Sequence, residues 1–315
     1  MYDSKVSAYW NGRVDSEINE ESFRLHQVVT QKKIDELEHN AADLVLMGFV
    51  CEEGVRRNQG RLGAAEGPNA LRKGLASLPK NDQHIQNIVD VGNIVCEGQK
   101  LEQAQQQLGD AVQQALKTNA KCIVLGGGHE TLYGHYLGVR AAYGQDAKIG
   151  LVNIDAHFDL RSYDEQPSSG TMFKQILDED ANASYFVCGI QRYGNTRELF
   201  NRADKLGVTY LYEDEMTLAD VSVEFDRFAN ECDIVLLTLC TDVIESAHAP
   251  GVSAPSPFGL HPKMVRSIIQ LVTQHEKTTS FNICEVNPAL DSEGITVKLG
   301  AYLTNEAMIG ITRGK

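Results

Sequence analysis

The feature that most constrains the fold of this chain is a regular alternation of short apolar runs with longer amphipathic segments. The runs are almost wholly apolar, which is typical of strands that helices cover on both faces of a parallel sheet. Eight runs are predicted as strands, at residues 44–50, 85–91, 122–125, 149–154, 185–188, 208–211, 234–239 and 280–284. Helical spacing of apolar residues predicts helices within 101–118, 131–142, 197–206, 220–231 and 262–274, and a first helix over 21–37.

No segment of the sequence marks a boundary between domains. The 315 residues allow one large domain or two ordinary ones, at roughly 150 residues per domain. Internal repeats, low-complexity tracts and linkers rich in proline or serine are absent from the sequence. We therefore predict a single α/β domain over residues 1–315, with an eight-stranded parallel sheet that helices flank on both faces.

Charge and cysteine content narrow the partners and the compartment of the protein. The 29 basic and 43 acidic residues leave a net charge of −14, which repels nucleic acid and anionic membrane surfaces. The apolar runs are strand-length, shorter than the ~20 residues that a transmembrane helix needs. The seven cysteines are odd in number and scattered, so a disulfide framework is not expected. These features predict a cytoplasmic protein without nucleic-acid or membrane partners.

A strong concentration of ligand-type side chains follows the predicted strand at 149–154. Asp155, His157 and Asp159 alternate along the chain, so in extended backbone their side chains project to the same side. Two carboxylates packed this closely repel each other unless a cation neutralises them. Carboxylate oxygens combined with imidazole suit Mn²⁺ first, with Mg²⁺, Fe²⁺ and Zn²⁺ as alternatives.

Ligand-type side chains also follow three other predicted strands. His129 comes after a run of three glycines, Cys240 and Asp242 follow 234–239, and Glu285 follows 280–284. Each has an ordinary interpretation by itself: a glycine turn into a helix, a buried thiol, a surface carboxylate. A glycine turn also suits a nucleotide phosphate, but the lysine of a phosphate loop is missing. Because ligands of open parallel sheets bind beyond the carboxyl ends of the strands, the four strand ends together predict one metal site.

These motifs, in this order, resemble the ureohydrolase superfamily of arginases and agmatinases. The residues that carry the resemblance are Gly126-Gly127-Gly128-His129-Glu130, Asp155-Ala156-His157-Phe158-Asp159, Asp242 with Ala249-Pro250-Gly251, and Glu285-Val286-Asn287-Pro288. Residues 10–15, 56–61, 168–171 and 251–255, with Arg161, are more similar to the branch that hydrolyses N-formimidoyl-L-glutamate. The resemblance implies an arginase-like α/β domain, a homo-oligomer, and hydrolysis of that amidine to L-glutamate and formamide in histidine catabolism.

The resemblance also implies a binuclear Mn²⁺ centre. The implied ligands are His129, Asp155 and Asp159 for one ion, and His157, Asp155 and Asp242 for the other. The second bridging carboxylate of the family falls at Cys240 in this sequence. A thiolate is softer than a carboxylate and matches Mn²⁺ less well. Three outcomes stay open: a working centre with an altered bridge, a shift toward a softer metal, or a weakened second site.

Substrate recognition is expected to involve a second group of residues. By resemblance, Glu285 orients the cationic amidinium, and Asp159 is the candidate that carries a proton to the departing nitrogen. Arg161, two residues beyond Asp159, can bind a substrate carboxylate through two parallel hydrogen bonds. Further hydrogen-bonding candidates are Ser169, Thr171 and Asn58, and weaker cationic candidates are Arg57, Arg61 and Arg192.

Two other functions are consistent with the same motifs. One is hydrolysis of a guanidino compound such as agmatine or guanidinobutyrate, although Arg161 would repel the cationic tail of agmatine. The other is a family member that keeps the fold with a weakened metal centre, and Cys240 is the residue that motivates it.

Overall fold

The computed structural model of the protein describes residues 1–82 and 85–314. Its strands are β1 (Tyr2–Asp3), β2 (Val29–Gln31), β3 (Leu44–Val50), β4 (Ile88–Val95), β5 (Lys121–Leu125), β6 (Ile149–Ile154), β7 (Ala183–Ile190), β8 (Thr209–Tyr212), β9 (Ile234–Cys240) and β10 (Thr278–Cys284). Its α-helices are α1 (Leu25–Val28), α2 (Glu53–Arg57), α3 (Gly67–Ala76), α4 (Leu101–Lys117), α5 (Thr131–Tyr143), α6 (Met172–Glu179), α7 (Arg197–Lys205), α8 (Leu218–Asn230), α9 (Pro262–Thr273) and α10 (Ile295–Arg313).

All ten strands belong to one sheet, in the order β1-β4-β3-β5-β10-β9-β6-β7-β8, with β2 also paired to β4. The eight predicted strands correspond to β3–β10, and every ladder among them is parallel. The predicted α/β fold is therefore confirmed, but the predicted count of eight strands is too low. The two extra strands are short, and both pair with β4. Strand β1 runs antiparallel to β4, and β2 runs parallel to it. Two or three residues are too few to show as an apolar run.

The predicted first helix over 21–37 is wrong. That segment contains the single turn of α1, the strand β2 and a 3₁₀ turn at Ile34–Glu36. The β-branched residues Val28, Val29 and Thr30 stand at its centre, and such residues favour extended backbone. The free edge of β4 supplies hydrogen-bond partners for that backbone, so pairing prevails over helical periodicity.

Helices bury both faces of the sheet, as the apolar strands predict. Along β3, Leu44 and Leu46 belong to one core cluster, whereas Val45, Met47 and Phe49 belong to the other. The first cluster includes apolar residues of α3, α8, α9 and α10, and the second includes those of α4, α5, α6 and α7. Across residues 1–82 and 85–314, no helix combines the length and apolarity needed to cross a bilayer.

One buried ion pair joins α3 to strand β4 of this sheet. The guanidinium of Arg72 on α3 donates to both carboxylate oxygens of Asp90 on β4, at 2.7 and 3.0 Å. It also donates to Asn93 Oδ1 and Gly92 O, while Trp10 Nε1 donates to Asp90. Both charged side chains are fully buried, so the pair depends on this complete set of hydrogen bonds.

Candidate metal centre

The strands that precede the predicted ligands are neighbours in the sheet. Their order is β5-β10-β9-β6, and all four run parallel. Their carboxyl ends therefore deliver His129, Glu285, Cys240 and Asp155 to one edge, which is where parallel sheets bind ligands.

The glycine run after β5 is required by close backbone packing. A Cβ atom on Gly127 would lie 1.9 Å from the carbonyl oxygen of Cys51, and one on Gly126 would lie 2.7 Å from that of Ile283. The chain thus passes between the ends of β3 and β10 before α5 begins. This passage places His129, which is only 1% exposed, directly at the strand ends.

The alternating residues after β6 surround the same point. Asp155 is fully buried, and its carboxylate accepts hydrogen bonds from the backbone N–H of His157 (2.8 Å) and from Asn153 Nδ2 (3.1 Å). Asp159 has a φ of +49°, a left-handed conformation that is uncommon outside glycine and often marks a functional position. Its Oδ2 lies 2.9 Å from His129 Nδ1. The side chains of Asp155 and Asp159 both approach His129, and His157 Nδ1 lies 3.5 Å from Asp155 Oδ1. They converge as predicted, but not through extended backbone, because Asp159 adopts the left-handed conformation.

The remaining ligand-type residues come from β9 and β10. Cys240 ends β9 and is 2% exposed, and Asp242 lies in the 3₁₀ turn Thr241–Val243. Glu285 follows β10 with a φ of +66°. Its Oε1 accepts a hydrogen bond of 3.0 Å from the backbone N–H of His129.

Two overlapping groups of side chains have the geometry to hold a divalent cation. Their members are His129, Asp155 and Cys240 in one group, and Asp155, His157 and Asp242 in the other. Within each group, all the candidate ligand atoms lie within 4.8 Å of one another. Asp155 belongs to both groups, so it lies where one residue could bridge two cations. Asp159 lies outside these two sets but approaches His129 from the cavity side.

The buried donor atoms favour a cation over internal pairing. His129 Nδ1 lies 3.1 Å from Asp155 Oδ2 and 2.9 Å from Asp159 Oδ2. Within residues 1–82 and 85–314 it makes a hydrogen bond to neither, and Asp242 Oδ1 is equally buried and unpartnered. Buried polar atoms are normally satisfied, so atoms that lie close without bonding fit a cation placed between them. The set of carboxylate, imidazole and one thiol suits a borderline divalent metal.

The pKa shifts of the buried groups at the strand ends also favour a bound cation. Burial, reinforced by nearby carboxylates, raises the pKa of Glu285 to about 8 and also raises the pKa of Asp159. Burial opposes ionisation of Asp155 as well, but His129 and His157 outweigh it and lower the pKa of that carboxyl. The pKa of the Cys240 thiol is raised by burial and by surrounding carboxylates. A cation among these groups would favour their charged forms.

A cavity of about 120 Å³ opens onto these residues. Of the predicted substrate-binding residues, Arg161, Asn58 and Ser169 line it. Thr171 is not among the residues that line the cavity: it directly precedes α6, and its hydroxyl accepts from the backbone N–H of Ser168 and donates to Gln175. Asn195 and Ser253 also line the cavity and were not anticipated from the sequence.

Arg161 differs from the other arginines considered. Arg57 pairs with Glu53 and Glu102, Arg61 donates to the carbonyls of Val252 and Ser253, and Arg192 pairs with Asp214 and Glu215. The guanidinium of Arg161 forms no ion pair within the described part of the chain. It is therefore available to an anionic ligand in the cavity.

Polar residues inside the strands support the ligands from behind. Asn153 donates to Asp155, and Thr238 contacts His129 at 3.0 Å. Each stands two residues before a ligand-type residue on its own strand, so it faces the same side. Neither residue is among the candidates predicted from the sequence, although a polar side chain within an otherwise apolar run marks both.

Comparison with known proteins identifies the family. The model of the arginase family matches residues 42–310. A formimidoylglutamase of Lysinibacillus sphaericus is 57% identical, over 100% of this chain and 99% of the relative. A formimidoylglutamase of Geobacillus kaustophilus is 49% identical, over 99% and 98%.

Solved structures show the same fold. The formimidoylglutamase of Bacillus subtilis superposes with a TM-score of 0.83 at 19% identity, covering 96% of each chain. A Trypanosoma cruzi formiminoglutamase with Mn²⁺ gives 0.80 at 24% identity, covering 92% of this chain and 98% of that one. This chain belongs to the arginase family.

Proposed function

We propose that this chain hydrolyses N-formimidoyl-L-glutamate to L-glutamate and formamide, a step of histidine catabolism. The observation that carries the proposal is that one cavity opens onto two overlapping cation-ligand groups and onto Arg161, which has no ion pair among residues 1–82 and 85–314. The ligand groups suit hydrolysis of an amidine, and Arg161 suits a substrate that bears carboxylates. Relatives named formimidoylglutamase, alike over nearly the whole chain, support the same reaction.

The proposed cofactor is a pair of Mn²⁺ ions in each subunit. His129, Asp155 and Asp159 would hold one ion and His157, Asp155 and Asp242 the other, with Cys240 at the second bridging position. When bound, such ions lower the pKa of water and stabilise negative charge that develops on the substrate.

The protein residues would orient the substrate and transfer a proton to it. Water adds to the formimidoyl carbon, the bond from that carbon to the glutamate nitrogen breaks, and this nitrogen gains a proton. Glu285 lines the cavity with one oxygen fixed by His129 N–H, which leaves the other oxygen for an amidinium N–H. Asp159 also lines the cavity, and by the family resemblance it is the candidate that carries a proton to the departing nitrogen.

Substitution of Arg161 tests the assignment of the substrate. Arg161→Met is expected to lower kcat/KM for formimidoylglutamate by about 10- to 100-fold, because hydrogen bonds to charged groups contribute about 1.5–3 kcal/mol. Arg161→Lys should retain part of the activity, since lysine supplies the charge without the planar fork. Formamide release gives the rates, and metal content serves as the control. An unchanged kcat/KM in the Met variant would exclude this role.

Cys240 supplies the observation that favours a second candidate, a family member with a weakened centre. We expect the wild type to contain two metal ions and to release formamide, and Cys240→Asp to bind Mn²⁺ more tightly because carboxylate is the harder ligand. Elemental analysis with a formamide assay measures both properties. Turnover in the Asp variant alone would establish the weakened centre. Urea release from agmatine or guanidinobutyrate would indicate the guanidino substrates instead.

The proposal also covers the domain organisation, cellular location and oligomeric state of this chain. We propose that residues 1–315 form one domain, because a single sheet takes strands from Tyr2–Asp3 to Thr278–Cys284 and α10 packs on α3. All seven cysteines are free, which supports a reducing, cytoplasmic location. A homo-oligomer is proposed from the family resemblance, and light scattering in solution would measure its size.

A further inference from the structure

A row of four buried polar side chains runs behind the candidate metal centre. It begins at His129, passes through Thr238 on β9 and Asn282 on β10, and ends at His135 on α5. Three of these side chains are completely buried and His129 is 1% exposed. Polar groups are costly to bury unless they are hydrogen bonded. A continuous row of them between two apolar strands therefore requires an explanation beyond packing.

The hydrogen-bond chemistry assigns a direction to the row. Asn282 Oδ1 accepts from the hydroxyl of Thr238 and from the thiol of Cys284 (3.2 Å). Its amide nitrogen therefore faces His135 Nδ1 at 2.8 Å, and an amide nitrogen only donates. His135 thus accepts at Nδ1 and carries its proton on Nε2.

The same reasoning determines which ring nitrogen of His129, at the other end of the row, carries a proton. The hydroxyl of Thr238 has a single hydrogen, which it donates to Asn282. Its oxygen can then only accept from His129 Nε2, 3.0 Å away. His129 must hold a proton on Nε2, which leaves the Nδ1 lone pair facing Asp155 Oδ2 and Asp159 Oδ2.

We propose that Thr238, Asn282 and His135 are positioning residues that hold His129 in the form able to bind a metal through Nδ1. If the Asn282 amide were reversed, its nitrogen would face Thr238, and the hydroxyl would have to donate to His129 Nε2. The proton of a neutral His129 would then stand on Nδ1, where it blocks metal binding. The reversed amide would also set its N–H groups against the Cys284 thiol. The inference rests on the proposed function only in taking His129 as a metal ligand.

Metal affinity measured on matched variants tests this inference. Thr238→Val and Asn282→Leu keep side-chain size but break the row, and each is expected to weaken Mn²⁺ binding about 10- to 100-fold. Thr238→Ser keeps the hydroxyl and should bind like the wild type. Ser280→Ala is the control, because this buried hydroxyl on β10 has no hydrogen-bond partner within residues 1–82 and 85–314. Competition with a fluorescent chelator gives the affinities, and circular dichroism verifies folding.

Undiminished affinity in a folded Thr238→Val variant would overturn the inference. A second measurement serves if the variants do not fold. In wild-type protein labelled with ¹⁵N-histidine and loaded with diamagnetic Zn²⁺, two-bond ¹H–¹⁵N correlations should place the protons of His129 and His135 on Nε2. A proton on Nδ1 of His135 would contradict the hydrogen-bond direction assigned to the row. Wild-type protein that binds no metal would refute the proposed function, while the His135 spectrum of the metal-free protein would still test the row.

Discussion

Asp155→Asn is expected to lower the rate of formamide release by at least about 100-fold, because loss of outer partners of metal ligands alone costs about 10- to 100-fold. Asp155 is the residue shared by both candidate cation groups. Asparagine removes its negative charge and replaces one oxygen with an N–H donor. Both carboxylate oxygens already face donors, from His157 N–H and Asn153 Nδ2. The new amide would therefore meet a donor on either side and would bind a cation weakly.

Elemental analysis of the same variant separates metal loss from other causes of inactivity. We expect fewer than two metal ions per chain in Asp155→Asn and a full complement in Asp110→Asn. Asp110 is an exposed residue at the solvent face of α4 and accepts from Gln106. Full metal content together with full activity in Asp155→Asn would contradict the assignment of Asp155 as the shared ligand.

Arg72→Met is expected to lower the free energy of unfolding by about 3–5 kcal/mol, which is the cost of breaking a buried ion pair by removing one partner. The carboxylate of Asp90 would stay buried with Trp10 Nε1 and the backbone N–H of Gly92 as its remaining donors. Total stabilities of folded proteins are about 5–15 kcal/mol, so this single change would bring the protein close to unfolding. Urea denaturation followed by circular dichroism measures the difference.

Two further variants test the cause of that loss. Arg72→Met combined with Asp90→Leu replaces both charges with apolar groups, which is often neutral or stabilising for buried pairs, so it should recover much of the stability. Arg227→Met removes a pair with Glu224 whose arginine side chain is 68% exposed, and should cost less than about 1 kcal/mol. If Arg72→Met proved as mild as Arg227→Met, the buried pair between α3 and β4 would not make the expected contribution to stability.

Prediction from sequence was most successful where periodicity and burial agree. The eight apolar runs became β3–β10 with shifts of a few residues at their ends, and all of these strands except the half-buried edge strand β8 are mostly buried. Prediction failed over 21–37, where the spacing of apolar residues was helical but the neighbouring edge of β4 paired with Val29–Gln31. The available edge is a property of the folded sheet, so it has no local signal in the sequence.

For the candidate site too, some properties could be predicted from the sequence and others could not. The alternation of Asp155, His157 and Asp159 predicts by itself that the three side chains face one side, because side chains alternate in extended chain. Arg161 could be named from its chemistry, but most hydrogen-bonding partners of the other candidate arginines lie far from them along the chain, such as Val252 for Arg61. The availability of Arg161 therefore became visible only in the folded protein.

The sequence by itself determined the residue types at each strand end, the parallel α/β class and the family resemblance, because these depend on local order along the chain. The tertiary structure alone decided that β5, β10, β9 and β6 are adjacent. Residues as far apart in the chain as His129 and Glu285, which are separated by 156 positions, supply the site. Only packing of helices on both faces sets the order of the strands, and that order brings an imidazole, carboxylates and a thiol within reach of one cation.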